Sequence, residues 1–152
     1  MKVTIRKAEK KDMVAVLGLI RELAIFENAE DQVKSTVKDL QRDAFGDNPL
    51  FNVVLAEKEG DLVGMVFYYY GYSTWKGKML YLDDIVVKEA FRRLGVGQQL
   101  FDFMRAEAKR AEASQIRFHV LNWNEPAIKF YEKNGVAMDD EWIQCKLEKE
   151  DL

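Results

Sequence analysis

An internal disulfide is excluded at the outset, because the chain holds a single cysteine, Cys145. One thiol forms no internal bridge and suits a reducing, cytoplasmic compartment. His119 is the only histidine, so no metal-ligand set can gather around it. With no third partner signalled, covalent catalysis by Cys145 is not expected either. Prolines are scarce too: Pro49 and Pro126 are the only two, and neither lies in a flexible stretch. No repeat, linker or low-complexity tract is visible. No run approaches the ~18 apolar residues of a membrane span, and Met1–Arg6 lacks the apolar stretch of a signal peptide. An excess of basic residues is also missing. The net charge of −3 argues against a nucleic-acid partner. It suits a cationic ligand, although mild acidity also serves solubility alone.

What is present describes an ordinary globular chain. Its 152 residues, 48% hydrophobic and 32% charged, fit one domain over 1–152. Val3 and Ile5 alternate with polar neighbours as in a short strand. Met13, Val16, Leu17, Ile20 and Ala24 recur at helical spacing, predicting a helix from about Asp12 to Phe26. Thr36 and Asp39 form a capping-box signature for a second helix, which Gly46 should close. Val53–Leu55 and Leu62–Tyr72 read as strands joined by a turn at Glu59–Asp61. A loop at Ser73–Gly77 leads to a strand over Lys78–Val87. A long helix runs from Gly97 to about Glu112, and Ile116, Phe118 and Val120 alternate in a strand. Pro126 suits the first turn of a helix and Asn134-Gly135 its end. Trp142–Leu147 is expected to be a last strand. The order predicts an α/β (α+β-like) fold with a mixed, mostly antiparallel sheet and flanking helices.

The segment richest in chemistry is Arg92-Arg93-Leu94-Gly95-Val96-Gly97, between an apolar strand and a helix. Glycines let backbone approach a ligand closely. The helix start beyond offers unpaired N–H groups and a positive dipole end. Together they suit a pyrophosphate, with Lys88, Arg92 and Arg93 adding charge. A dinucleotide fingerprint would need a small residue where Leu100 stands, and no Gly-Lys-Ser/Thr follows for a P-loop. Asp83 and Asp84 interrupt the apolar strand Tyr81–Val87, which is costly unless they are paired or used. Strand alternation predicts that at most one of them faces a cleft directly. Either could bind a lysine-like ammonium, whose pKa near 10.4 makes deprotonation at pH 7 cost roughly 5 kcal/mol. Glu27 ends the first helix and reads equally as a solvated acid. Trp75 and Trp123 read either as cation–π walls or as packing. Tyr131, on residues alone, is open between packing and proton donation.

Arg92–Gly97 resembles the Gln/Arg-x-x-Gly-x-Gly/Ala loop of GNAT acetyltransferases. The later segment Asn124-Glu125-Pro126-Ala127-Ile128-Lys129-Phe130-Tyr131 is similar to the same superfamily's Asn…Ala…Phe-Tyr segment. Leu19–Ala24, Tyr81–Asp84 and Trp123–Pro126 resemble the diamine (spermidine/spermine) acetyltransferases, including their thialysine-acetylating branch. The resemblance implies a sheet splayed around acetyl-CoA, with no metal. Ile85, Val86 and Val87 would hold the acetyl and pantetheine end, and Arg92, Arg93, Leu94, Gly95, Val96 and Gly97 the pyrophosphate. Asn124, Pro126 and Ala127 would contact the CoA arm. Tyr131 would be the general acid beside the sulfur. Asp83 matches a family glutamate tied to amine binding and proton removal, its shorter side chain favouring a water relay. Glu27, Asp84, Trp123 and Glu141 complete the acceptor residues. The expected reaction is acetylation of a small polyamine-like or lysine-like amine by direct attack, in a homodimer with no nucleic-acid or membrane partner. The alternatives are another amine acceptor or a non-catalytic acyl-CoA sensor. Phe26, where those enzymes carry Tyr, departs from the pattern.

Overall fold

The computed structural model describes residues 1–152, which fall into two compact units, Met1–Phe118 and His119–Leu152. The first contains β1 (Thr4–Lys7), α1 (Met13–Phe26), α2 (Val37–Phe45), β2 (Asn52–Lys58), β3 (Asp61–Ser73), β4 (Gly77–Val87), α3 (Val96–Arg110) and β5 (Gln115–Arg117). The second contains α4 (Glu125–Lys133). The strands form one sheet in the order β1-β2-β3-β4-β5. All neighbours are antiparallel except β4 and β5, which run parallel. No helix is long and apolar enough to cross a membrane.

Local sequence explains the element ends. Thr36 Oγ1 accepts from the Asp39 N–H at 3.2 Å, and the Thr36 N–H donates to Asp39 Oδ2 at 2.9 Å. That is the expected capping box. Gly46 ends α2 in an extended rather than left-handed conformation; a Cβ there would meet the Arg42 carbonyl oxygen at 2.7 Å. Glu59 and Gly60 both take positive φ, 52° and 83°, as a two-residue hairpin turn requires. Arg6 Nη1 and Nη2 donate to Asp12 at 2.8 and 3.1 Å, and Nη2 also donates to Glu57 at 2.8 Å. One guanidinium thus ties β1, β2 and the start of α1 together, and holds the Asp12 carboxyl below its usual range.

The sheet's two faces are covered by different helices. Val53, Leu55, Met65 and Val86 pack with Met13, Val16, Leu17 and Leu19 of α1 and Leu40 of α2. On the opposite face, a Cβ on Gly64 would lie 3.2 Å from Leu100 Cδ1 of α3, and Tyr70 donates from its hydroxyl to Glu107 of α3 at 2.9 Å.

Two expectations are corrected. Trp142–Leu147 forms no strand: its alternating pattern meets no partner in the sheet, and a strand needs a ladder. The strand foreseen through Ile116, Phe118 and Val120 stops at Arg117, because its parallel pairing reaches only Met79, Leu80 and Tyr81 of β4.

Candidate active site

That short pairing creates the first feature of the site. Beyond Tyr81, β4 continues to Val87 with β3 on one side and no strand on the other. The Lys88 N–H donates to the Val63 carbonyl at 2.9 Å, so Lys88 faces β3. Backbone groups alternate sides along an antiparallel strand. Ile85 and Val87 therefore turn theirs to the open side, where the Val87 carbonyl accepts from Arg92 Nε at 3.0 Å.

The glycine loop lies at the end of this edge. A short turn, Glu89–Phe91, follows β4. Arg93 and Gly95 then take positive φ, 61° and 84°, and Gly95 caps α3. The first intrahelical bond runs from the Gln99 N–H to the Gly95 carbonyl at 3.1 Å. The Val96 and Gly97 amides precede it and point out of the helix start. A Cβ on Gly95 would meet nothing within 4 Å, and one on Gly97 would meet only Val87 Cγ2 at 3.8 Å. Bare backbone thus borders open space where an anion is favoured. Arg92, Arg93, Leu94 and Gly95 are all exposed. An open strand edge thus leads to an electropositive helix start that suits an anion such as a pyrophosphate. Arg92 also sits with its guanidinium carbon 5.6 Å from the Phe26 ring centroid. The far end of α1 is thereby joined to the loop.

The second feature is a group of three carboxylates. Tyr68 pairs with Leu82 but Phe67 pairs with Asp84, leaving Asp83 as an extra residue in β4. This β-bulge breaks the alternation assumed from the sequence. Leu82 shares the face of Tyr68, while Asp84 shares that of Phe67, which packs on the α1 side. Asp83, next to Leu82, is on that side as well. Both carboxylates therefore face the helix that ends at Glu27, contrary to the expectation that they point apart. Burial first, then repulsion from Asp83 and Glu27, pushes the Asp84 carboxyl up to about 7. Burial and Asp83 also raise Glu27. Asp83 itself is exposed. Beside them, Tyr69 and Tyr81 stack at 5.0 Å between ring centroids. Both phenols are raised by burial first and Asp83 among the charges.

A pocket of about 290 Å³ opens here, lined by Ile20, Leu23, Glu27, Val33, Lys34 and Asp84 among others. Apolar helix residues and two acids line it, as a small cation's alkyl chain and charged end require.

The second unit carries the remaining predicted residues. Asn124 caps α4, its Oδ1 accepting from the Ala127 N–H at 3.4 Å, with Pro126 in the first turn. Tyr131 is buried, its ring edge-on to Phe130 at 5.3 Å. Trp123 and Glu141 are exposed on either side of that helix.

Sequence reasoning passed over Tyr69, Tyr81 and Lys34. The tyrosine pair was within reach. Ser73 opposes Gly77 across the hairpin loop, and pairing outward from there brings Tyr69 opposite Tyr81. Lys34 gave no signal, being one lysine in a charged loop.

The comparisons with known proteins agree with this geometry. Residues 18–136 match the Acetyltransferase (GNAT) family. The thialysine N-epsilon-acetyltransferase of Bos taurus is 39% identical over 88% of this chain and 83% of its own. The spermidine/spermine N(1)-acetyltransferase-like protein 1 of Homo sapiens is 37% identical over 97% of this chain, which spans only 23% of the human protein. An aminoglycoside acetyltransferase from an uncultured soil metagenomic sample, solved in complex with sisomicin, shares the fold. Its TM-score is 0.79 over 96% of this chain and 95% of that one, at 16% identity. A family match over most of the chain, relatives of this identity, and a sheet opened between β4 and β5 lead to one conclusion: the chain belongs to the GNAT acetyltransferases and is an acetyl-transferring enzyme.

Proposed function

We propose that the enzyme acetylates a primary amine of a small polyamine-like or lysine-like acceptor, using acetyl-CoA as donor. The observation that carries this reading is the bulge at Asp83, which turns Asp83 and Asp84 toward Glu27 on one side of β4. Three converging acids suit an acceptor with more than one positive charge. The relatives, a thialysine acetyltransferase and a spermidine/spermine acetyltransferase-like protein, support the same class.

The proposed roles follow from environment. Acetyl-CoA supplies the thioester carbon that the neutral amine attacks, with the CoA thiolate as leaving group. Exposed Asp83 meets the incoming ammonium first. Asp84, with a pKa near working pH, takes its proton directly or through water. This departs from the sequence reading, which asks Asp83 for both tasks, because Asp84 is the better screened from water. Glu27 binds the distal amine. Ile85 and Val87 offer backbone groups to the pantetheine arm, and Arg92–Gly97 hold the pyrophosphate. Asn124, Pro126 and Ala127 keep their place on the CoA arm, and Trp123 and Glu141 remain acceptor-side residues by resemblance. Tyr131 is assigned on the same ground as proton donor to the thiolate.

A panel of amines with acetyl-CoA, followed by thiol release, tests the whole. Spermidine and thialysine should exceed a monoamine of similar length by at least tenfold in kcat/KM, since a lost buried charge contact commonly costs about 2–5 kcal/mol. Equal values across the three would overturn the multi-charge acceptor. Tyr131→Phe removes only the hydroxyl and should lower kcat about tenfold, the modest end for a general acid because a thiolate leaves readily. Acetyl-CoA affinity should hold within about twofold. A variant turning over like the parent would make Tyr131 a packing residue.

A further inference from the structure

The acceptor pocket is not uniformly acidic. Glu27 and Asp84 reach it from the end of α1 and from β4, whereas Lys34 lines it from the segment between the Glu30–Gln32 turn and α2. No carboxylate of the chain lies within ion-pair distance of the Lys34 ammonium. The charges that act on Asp84 are those of Asp83 and Glu27, and on Glu27 that of Asp83. Lys34 is not among them. The pocket lining therefore holds two acids that repel one another and one exposed lysine that forms no ion pair within the chain. Ser35 and Gln32 line the pocket with Lys34 and add hydrogen-bonding groups.

We propose, on the acceptor reading above, that Lys34 is the residue that selects the acceptor. It binds the carboxylate of a diamino acid whose side-chain amine lies at Asp83 and Asp84 and whose second amine lies at Glu27, and it disfavours a bare polyamine relative to that acceptor. A zwitterionic amino acid with a long terminal amine satisfies the acids and the lysine at once. A diamine of the same length satisfies the acids but has no carboxylate to offset its second ammonium beside Lys34. Discrimination then comes from repulsion of the wrong ligand as much as attraction of the right one. An ammonium–carboxylate hydrogen bond is charge-assisted and stronger than a neutral one, and removing its lysine should cost about tenfold in affinity. The apolar wall of Ile20, Leu23 and Val33 fits the methylene or thioether chain between the charged ends.

The test compares thialysine with the same molecule lacking its carboxylate, a sulfide-linked diamine. Both are assayed with acetyl-CoA by thiol release, on the parent, Lys34→Gln, Lys34→Glu and Lys34→Arg. The parent should favour thialysine. Lys34→Gln should raise KM for thialysine about tenfold with kcat held, and improve the diamine roughly threefold. Lys34→Glu should invert the preference, and Lys34→Arg should restore it. Parallel changes for both acceptors, or no change in Lys34→Gln, would overturn the role of Lys34 while leaving the amine acetyltransferase intact. If the parent turned over neither acceptor, the acceptor reading itself would fall, and the role of Lys34 with it.

Discussion

Asp84→Asn loses about a hundredfold in kcat/KM near neutral pH and at the same time makes the protein more stable there. The two effects share one cause. Burial and two neighbouring acids raise Asp84 to about 7, far above the usual carboxylate range. A raised carboxyl in the folded state means that folding favours its protonated form. Its contribution is fully present below about pH 4, where the unfolded chain is protonated as well, and is lost as pH rises through 7. At pH 8 the charged carboxylate therefore costs the fold on the order of 2–4 kcal/mol. An amide escapes that penalty. Melting at pH 8 should rise by roughly 5–10 °C in the variant, and the gap should close toward pH 4. The activity carries the opposite sign. Parent kcat/KM should climb through pH 7 as Asp84 loses its proton, and the amide should flatten that limb, within the 10²–10⁴-fold ascribed to general bases. A variant that keeps the rising limb would return the proton-accepting role to Asp83. Unaltered melting at both pH values would show that Asp84 is not held protonated.

Gly97→Val weakens acetyl-CoA binding at least a hundredfold and leaves the fold standing. The position separates the two properties cleanly. A Cβ there meets only Val87 Cγ2, at 3.8 Å, so the chain itself has room. Valine in the first turn of a 15-residue helix costs less than about 1 kcal/mol. Gly95 is the poorer probe, since its φ of 84° would strain any L side chain by about 1–2 kcal/mol and confuse folding with binding. Calorimetric titration with CoA, with the melting curve as control, reads the outcome. Parent-like affinity in the folded variant would remove the pyrophosphate from this loop.

Much of this architecture could be read before any coordinate. The helical spacing of Met13 through Ala24, the Thr36–Asp39 box and the Glu59–Gly60 turn are local patterns, and each appears within a residue or two of its expected place. The glycine loop is equally local, a strand, two glycines and a helix start in one stretch. What escaped depends on partners distant in sequence. The bulge at Asp83 exists only in the register between β3 and β4, and no property of Leu82-Asp83-Asp84 announces it. It reverses which face Asp84 takes, so the pairing of the two acids with Glu27 could not be derived from alternation. Trp142–Leu147 failed for a related reason. Alternation states what a strand would bury, but not whether the sheet has an edge for it. Lys34 enters the site only because the loop before α2 closes over α1, a tertiary event with no local signature.

The unzipped edge at Ile85–Val87 bears on how such a protein can change over generations. A pantetheine arm is a chain of amides, and along this edge it would lie as a substitute strand, recognised through peptide groups common to nearly every residue. Donor recognition of that kind does not depend on which side chains occupy positions 85 to 87. Those side chains project above and below the sheet, where the register turns Ile85 and Val87 to the α3 face and Val86 to the face of the acids. Substitutions there change the packing beneath α1 and α3 and leave the peptide groups of the edge where they are, so the core can drift in sequence without the edge being lost.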